Sequence, residues 1–391
     1  MYYIATRQLV GLPATEVASI AARTIRSMQK DVKTSQFPLV TGGDGTTEHL
    51  VTSTLGSFLE VEATGADGEQ VIVPIGFAGD NGSIGIIEMR QVSPELTGAT
   101  SSKKKRAFAG TTFGVGELIR DVLDEGAFSV ILGWEEPLAR DAGFGMAQAL
   151  GFKFLDGNGK PLDFRTETPF SDIRSIDISE RPFDLLSSKF YAARSESVKG
   201  PRQRGQMTVE DAMMDEELSR LAEILRKDCS IDVSASAIKS GGSYIEFGLS
   251  AFVNAEIRDG SLLALEVGNL RNQLQQAKGE LIVVAQKLED IASERASAAM
   301  KEVMKMAEET STAFHAVTLE APKQAAESRY RTKYPLLRSV ISLENAMFAP
   351  IDPQLRASEI RRQLTYRFER GFSTLFNTEP ASTSDAAAII Q

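Results

Sequence analysis

Apolar residues recur at helical spacing in Ala14–Met28, where Val17, Ile20, Ala21 and Ile25 share one face behind Pro13. That spacing predicts a helix with the face buried. Tyr2–Thr6 reads as a strand before it, and Gln36–Val40 as a strand after it that runs into TGGDGT. From Ser57 to Met89 the period shifts to two. SFLEVEAT, EQVIVPIGF and SIGIIEM are separated by GADGE and AGDNG, and such turns between alternating runs predict antiparallel strands.

Further along, TTFGVGELIRDVLDEGA predicts a helix, FSVILGW a strand, FKFLDGNGKPLDF a hairpin-like segment and Val209–Lys227 a helix. The α/β alternation returns from Glu280: LIVVAQ as strand, SERASAAMKEVMKMAEE as helix, AFHAVTLEA as strand, a charged helix at Pro322–Lys333, and RSVISLE as strand. The last helix, Pro353–Phe376, carries Leu355, Ile360, Leu364, Phe368, Phe372 and Leu375 in a near i+4 stripe suited to packing on a sheet. An α/β start, a β-rich excursion and an α/β return predict a sheet domain interrupted by an inserted one. The expected division is residues 1–58 plus 275–377, an insert at 59–274 and a mobile tail at 378–391. A cleft between the two domains is the default ligand site.

Composition narrows this. The chain has 391 residues, too many for one ordinary core, with 42% apolar and 25% charged residues, as in a globular protein. Lys and Arg number 43 against 53 Asp and Glu, a net charge of −10 that argues against a nucleic-acid or anionic-membrane surface. SSKKKR (Ser101–Arg106) then reads as a surface loop. Cys229 is the only cysteine, so no intrachain disulfide or thiolate metal cluster is possible. The N-terminus lacks a basic region followed by an apolar stretch, no apolar run reaches membrane-span length, and a cytoplasmic location is expected. His49 and His315 lack metal-ligand spacing, so structural roles lead.

Three ordered strings resemble the type I glycerate kinases, the glycerate 2-kinase family. LVTGGDGTTEHL (Leu39–Leu50) is similar to its DGGEGT signature, and TTFGVGELIRDVLDEGA (Thr111–Ala127) to its TTxGxGELI helix. DAGFGMAQALGFKFLDGNGKPL (Asp141–Leu162) resembles NDGGxGMxxALG followed by FLDxxGxxL. The resemblance runs over roughly Met1 to Phe376. It implies a two-domain α/β fold, with a flavodoxin-like or Rossmann-like domain carrying a large inserted α/β domain. It also implies transfer of a phosphoryl group from ATP, with Mg²⁺, to D-glycerate.

On that resemblance Asp44, Asp141, Asp184 and Asp290 are the candidates for metal or hydroxyl contacts, and Gly42, Gly43, Gly45, Thr46, Arg7, Gly241 and Gly242 for the cofactor. Each has a structural alternative: a turn needing positive φ for the glycines, a helix N-cap for Asp141, a solvated carboxylate for Asp184 and Asp290. The chain also departs from the family strings. The DSFK-like turn reads TRQLVG, GGSATND reads EEPLARD, CDVxNPL is matched loosely by FDLLSSK, and TGEGxxDxQT reads VAQKLEDIAS. Glu135 and Glu136 place negative charge in a turn otherwise suited to phosphate, and Pro137 removes an N–H there. Two readings therefore stand beside each other. One is a kinase for D-glycerate or another small hydroxy acid. The other is a noncatalytic relative without cofactor, with a protein partner or a second copy of itself, in which Glu135, Glu136 or Trp134 blocks the site.

Overall fold

The computed structural model describes residues 1–79, 82–94, 110–136, 138–166, 168–195, 198, 208–239, 243–276, 278–293, 296–344 and 351–376. The chain begins with β1 (Tyr2–Thr6), α1 (Ala14–Met28), β2 (Thr34–Pro38), α2 (Thr46–Ser53), β3 (Ser57–Thr64), β4 (Gln70–Ala78) and β5 (Ile84–Glu88). Next come α3 (Phe113–Asp124), β6 (Ser129–Trp134), α4 (Phe144–Ala149), β7 (Lys153–Leu155), β8 (Ser175–Asp177), α5 (Phe183–Ser187) and β9 (Lys189–Arg194). Then follow α6 (Val209–Cys229), α7 (Ala235–Ile238), α8 (Ile245–Val253), β10 (Glu256–Asp259), α9 (Gly260–Val267) and α10 (Leu270–Gln276). The last elements are β11 (Glu280–Ala285), α11 (Glu289–Ala292), α12 (Ala298–Glu309), β12 (Phe314–Thr318), α13 (Gln324–Lys333), β13 (Leu337–Ser342) and α14 (Ala357–Phe376). Two compact units result: Met1–Val40 together with the chain from Ser261 onward, and Thr41–Gly260. The expected mobile tail lies outside the described residues.

The first unit is a five-stranded parallel sheet in the order β2-β1-β11-β12-β13. Numbered within the unit this is 2-1-3-4-5, the flavodoxin-like winding. Tyr2 pairs with Glu280 and Thr6 with Val284, so segments far apart in the chain build the sheet together. Both sheet faces are covered, which is why β11 reads as an unbroken apolar run. One face packs on α1 and α14 through Val17, Ile20, Ile25, Leu364 and Phe368, the other on α10 and α12 through Leu274, Met300 and Val303. The α14 stripe holds at Ile360, Leu364, Phe368 and Phe372, all buried. Leu355 is left partly exposed, because the chain is still in a turn there, Leu355 N–H donating to the Asp352 carbonyl. His315, buried on β12, is satisfied by Ser339 Oγ at 2.8 Å and Glu280 Oε2 at 3.2 Å.

The second unit carries a six-stranded mixed sheet, β10-β9-β6-β5-β4-β3. The four strands β10, β9, β6 and β5 are parallel, and β4 and β3 add an antiparallel edge. Helix α3 buries Val115, Leu118, Ile119 and Val122, spaced i, i+3, i+4 and i+7, against this sheet. Phe144 at the start of α4 anchors an aromatic cluster, with ring centroids of Phe154, Phe170, Phe252 and Phe164 at 4.8 to 5.2 Å. The hairpin expected within FKFLDGNGKPLDF is reduced to one bridge, Leu155 to Pro161. The ladder partner of β7 is instead β8, twenty residues on, because Phe154 and Ile176 face the same core there. The unit's two ends meet: a Cβ on Gly260 would collide with the carbonyl of Thr41 and come within 2.7 Å of the Gly42 Cα.

Replacing Phe144 by Ala removes a fully buried ring from this cluster and is expected to cost about 3–5 kcal/mol, read as a lowered denaturant midpoint.

Candidate site at the carboxyl ends of the parallel strands

Open α/β sheets take ligands outside the carboxyl ends of their strands. In the second unit those ends are Glu88 on β5, Trp134 on β6, Arg194 on β9 and Asp259 on β10. The loop Thr41–Gly45 lies against them. Gly42, at φ +94°, passes so close to β9 that a Cβ would strike the Ala193 carbonyl, and a Cβ on Gly133 of β6 would come within 2.5 Å of the Gly42 carbonyl. Thr41 Oγ1 bonds Ser195 Oγ at 3.0 Å, tying the loop to the exit of β9. Gly45, at φ +83°, caps α2, and Thr46 Oγ1 donates to the Gly43 carbonyl at 2.7 Å. The geometry is that of a loop leading into a helix N-terminus, a place that favours anions.

The anions present are the chain's own. The Glu135 carboxylate sits where a side chain on residue 43 would be, so Oε2 would clash with a Cβ on Gly43. Its other oxygen takes the Arg90 guanidinium at 2.6 Å, and Asp44 lies 3.9 Å from the same nitrogen. Glu88 accepts the backbone N–H of Thr47, in the first turn of α2, at 2.7 Å, and a Gln91 amide hydrogen at 3.1 Å. Burial pushes the Glu88 carboxyl up, and the Thr47 N–H acts against that shift. Glu136 accepts from Ser243 N–H at 2.9 Å, Ser243 Oγ at 2.6 Å and Leu138 N–H at 3.1 Å, fastening the approach to α8. Arg194 pairs with Glu246 at 3.3 Å.

Asp141 is placed differently. Its carboxylate is buried and accepts the N–H groups of Thr112 at 2.7 Å, Gly143 at 3.0 Å and Gly145 at 3.0 Å, with Thr112 Oγ1 at 2.9 Å. It therefore joins the starts of α3 and α4. Burial drives its carboxyl upward and these donors oppose the shift.

A family model described as the glycerate kinase family matches residues 10–362. This chain belongs to the glycerate kinase family. Glycerate 2-kinase of Escherichia coli K12 is 30% identical over 67% of the chain and 71% of that enzyme. A glycerate kinase of Bacillus cereus is 30% identical over 70% and 73%. A solved structure described as glycerate kinase 2 of Salmonella typhimurium LT2 superposes with a TM-score of 0.73 at 23% identity, over 96% of this chain and 98% of that one, and so shows the same α/β fold.

Within this glycerate kinase family chain, Asp44 stands at the glycine loop with its side chain 74% exposed. Asp184 does not join it. It precedes β9 and so lies at the amino-terminal end of the sheet, a strand length of about 17 Å away from the cluster. The loose match of FDLLSSK to a strand-exit motif misplaces it, since the exit of β9 is Arg194–Ser195. Arg7 and Asp290 belong to the first unit, following the adjacent strands β1 and β11. There Arg7 N–H donates to the Val284 carbonyl at 3.2 Å, and Asp290 Oδ2 accepts the Lys287 N–H at 2.9 Å. The Lys287 ammonium pairs with Glu320 at 3.3 Å. Gly241, Gly242, Pro137 and SSKKKR lie outside the described residues. Trp134 is buried in the core of the second unit rather than standing in the loop. Among the described residues no three His, Cys, Asp or Glu side chains converge as metal ligands, and no helix is long and apolar enough to cross a membrane. Glu88, Arg90, Arg194 and Glu246 were not legible as site residues. Their one sequence signal is position, at or just past the end of a strand or beginning a helix.

Two outcomes test these placements. Asp141→Ala leaves three buried N–H groups unpaired and is expected to cost on the order of 3 kcal/mol in denaturant unfolding. Burial pushes the His49 pKa down to about 4 from 6.5, so only the unfolded chain takes up its proton between those values. Stability then falls as pH falls through that window, by on the order of 2 kcal/mol from pH 7 to pH 5 for this group. His49→Gln is expected to flatten that part of the stability profile.

Proposed function

We propose that this chain keeps the glycerate kinase framework without its phosphoryl transfer, and acts as a noncatalytic family member in a regulatory or assembly role. The observation that carries this reading is the Glu135 carboxylate seated over Gly43 and neutralised by Arg90. Phosphoryl transfer depends on positioning and on charge stabilisation of the transferred group. A phosphate brought to this loop would meet Glu135, Glu88 and Asp44 together, and the Arg90 nitrogen that could receive it already holds a carboxylate.

ATP with Mg²⁺ is the donor that the family implies. The residues at this end of the second unit do not fit a polyphosphate, since its space over Gly43 and its favoured position at the start of α2 are both taken by carboxylates. The first unit supports the same reading. Its β11 exit reads AQKLED, where the lysine is engaged with Glu320 and the glycines that let backbone approach a phosphate are absent from the sequence.

The test is titration of the purified protein with Mg-ATP by calorimetry, with and without D-glycerate, beside the Escherichia coli enzyme. The expected result is no saturable heat and no ADP while the control turns over. Saturable binding followed by glycerate-dependent ADP formation would overturn the reading.

A further inference from the structure

We infer that Glu135 is a built-in ligand of an anion site formed by the Thr41–Thr46 loop and Arg90, an autoinhibitory contact that holds the site closed to small carboxylates and phosphates. This deepens the reading above and rests on it for the idea that the loop faced a ligand's anionic group.

The argument begins with shape. Gly43 leaves a space beside the loop, and that space is filled by a carboxylate carried on the residue that directly follows β6. The Glu135 side chain is 16% exposed, so it is inserted rather than lying across the surface. Its cation comes from another strand end: Arg90 follows β5 and reaches Glu135 Oε1 at 2.6 Å. A planar guanidinium beside a glycine turn and a helix N-terminus is the donor set that receives a carboxylate or phosphate from solution. Here one oxygen faces the guanidinium and the other faces the glycine, as the oxygens of a bound anion would.

Tethering explains why the contact persists. A short covalent link gives the Glu135 carboxylate an effective concentration on the order of millimolar or more at the loop, so free anions present at lower concentration do not displace it. The contact is also replaceable in principle, because Arg90 keeps 39% of its side chain exposed and a small anion can approach it from that side. Glu88 is distinct in this respect. It is buried and bonded to the α2 backbone, and it stays when Glu135 is removed.

The experiment compares four full-length proteins: wild type, Glu135→Ser, Glu135→Gln, and Glu135→Ser combined with Arg90→Gln. Each is titrated at low ionic strength with inorganic phosphate and, separately, with D-glycerate, and each is checked for an unchanged thermal midpoint without ligand. Glu135→Ser is expected to bind at least one of the two anions tenfold or more tighter than wild type. Glu135→Gln, which keeps the volume and removes the charge, is expected to fall between them. Adding Arg90→Gln should return the affinity to the wild-type level. Preference for phosphate or for glycerate identifies which anionic group the loop suits.

A folded Glu135→Ser protein with affinities within twofold of wild type for both anions would overturn the inference, and so would tighter binding that survives loss of Arg90. If Glu135→Ser is unstable, Glu135→Gln carries the same comparison. Turnover of Mg-ATP by wild type would sink the proposed function alone, since the affinity difference between wild type and variant is measured independently of it.

Discussion

The backbone of Gly42 passes so close to β6 and β9 that neither residue 42 nor residue 133 has room for a side chain. This close approach is the constraint on which the carboxyl end of the second unit depends. It presses the Thr41–Gly45 loop onto the strand ends, brings Gly43 under the residue that follows β6, and delivers α2 with its N-terminus toward Glu88. With the loop held there, the Glu135 carboxylate lies over Gly43. The charge that looks misplaced in a phosphate-type turn is thus a counter-charge within the fold, matched by Arg90 on one side and by a glycine's missing Cβ on the other.

Asp141 shows the same economy with a different result. In sequence it looks like a catalytic carboxylate retained when its neighbours changed. In space it is a junction, collecting N–H groups from Thr112, Gly143 and Gly145 that would otherwise be buried without partners. A residue with that many backbone donors on it serves folding whether or not the protein turns over a substrate. Two of the three family strings, Thr111–Ala127 and Asp141–Leu162, meet at this junction, which is why they report the fold with more force than the chemistry.

What was legible in the sequence follows from how local each signal is. The bounds of α1 and the buried face of α14 were readable because a helix shows its partner face as a period of about 3.6 residues within its own length. The α/β class was readable because β11 and β12 are apolar runs separated by an amphipathic helix. The pairing of β7 with β8 was not, because nothing within FKFLDGNGKPLDF states that its partner lies beyond the next loop. The Glu135–Arg90 pair joins residues 45 apart across two strand ends, and no spacing rule spans that. Asp184 was misplaced for a related reason. A loose motif match fixes order along the chain, and only strand direction decides which end of a sheet a residue reaches.

The meeting of Gly260 with Thr41 bears on how the chain assembles in time. Strand β1 is made before its neighbour β11, which leaves the ribosome almost 280 residues later, so the first sheet cannot close early. The stretch Thr41–Gly260 is continuous and has its own core, so it can fold in the interval. By bringing its two ends side by side, it turns that long wait into a short gap and reduces the loop-closure entropy of joining β1 to β11 by roughly 1.5 kcal/mol. The insert is in this sense a clamp on the polymer: it holds Val40 and Ser261 at neighbouring points while the sheet on either side of them is completed.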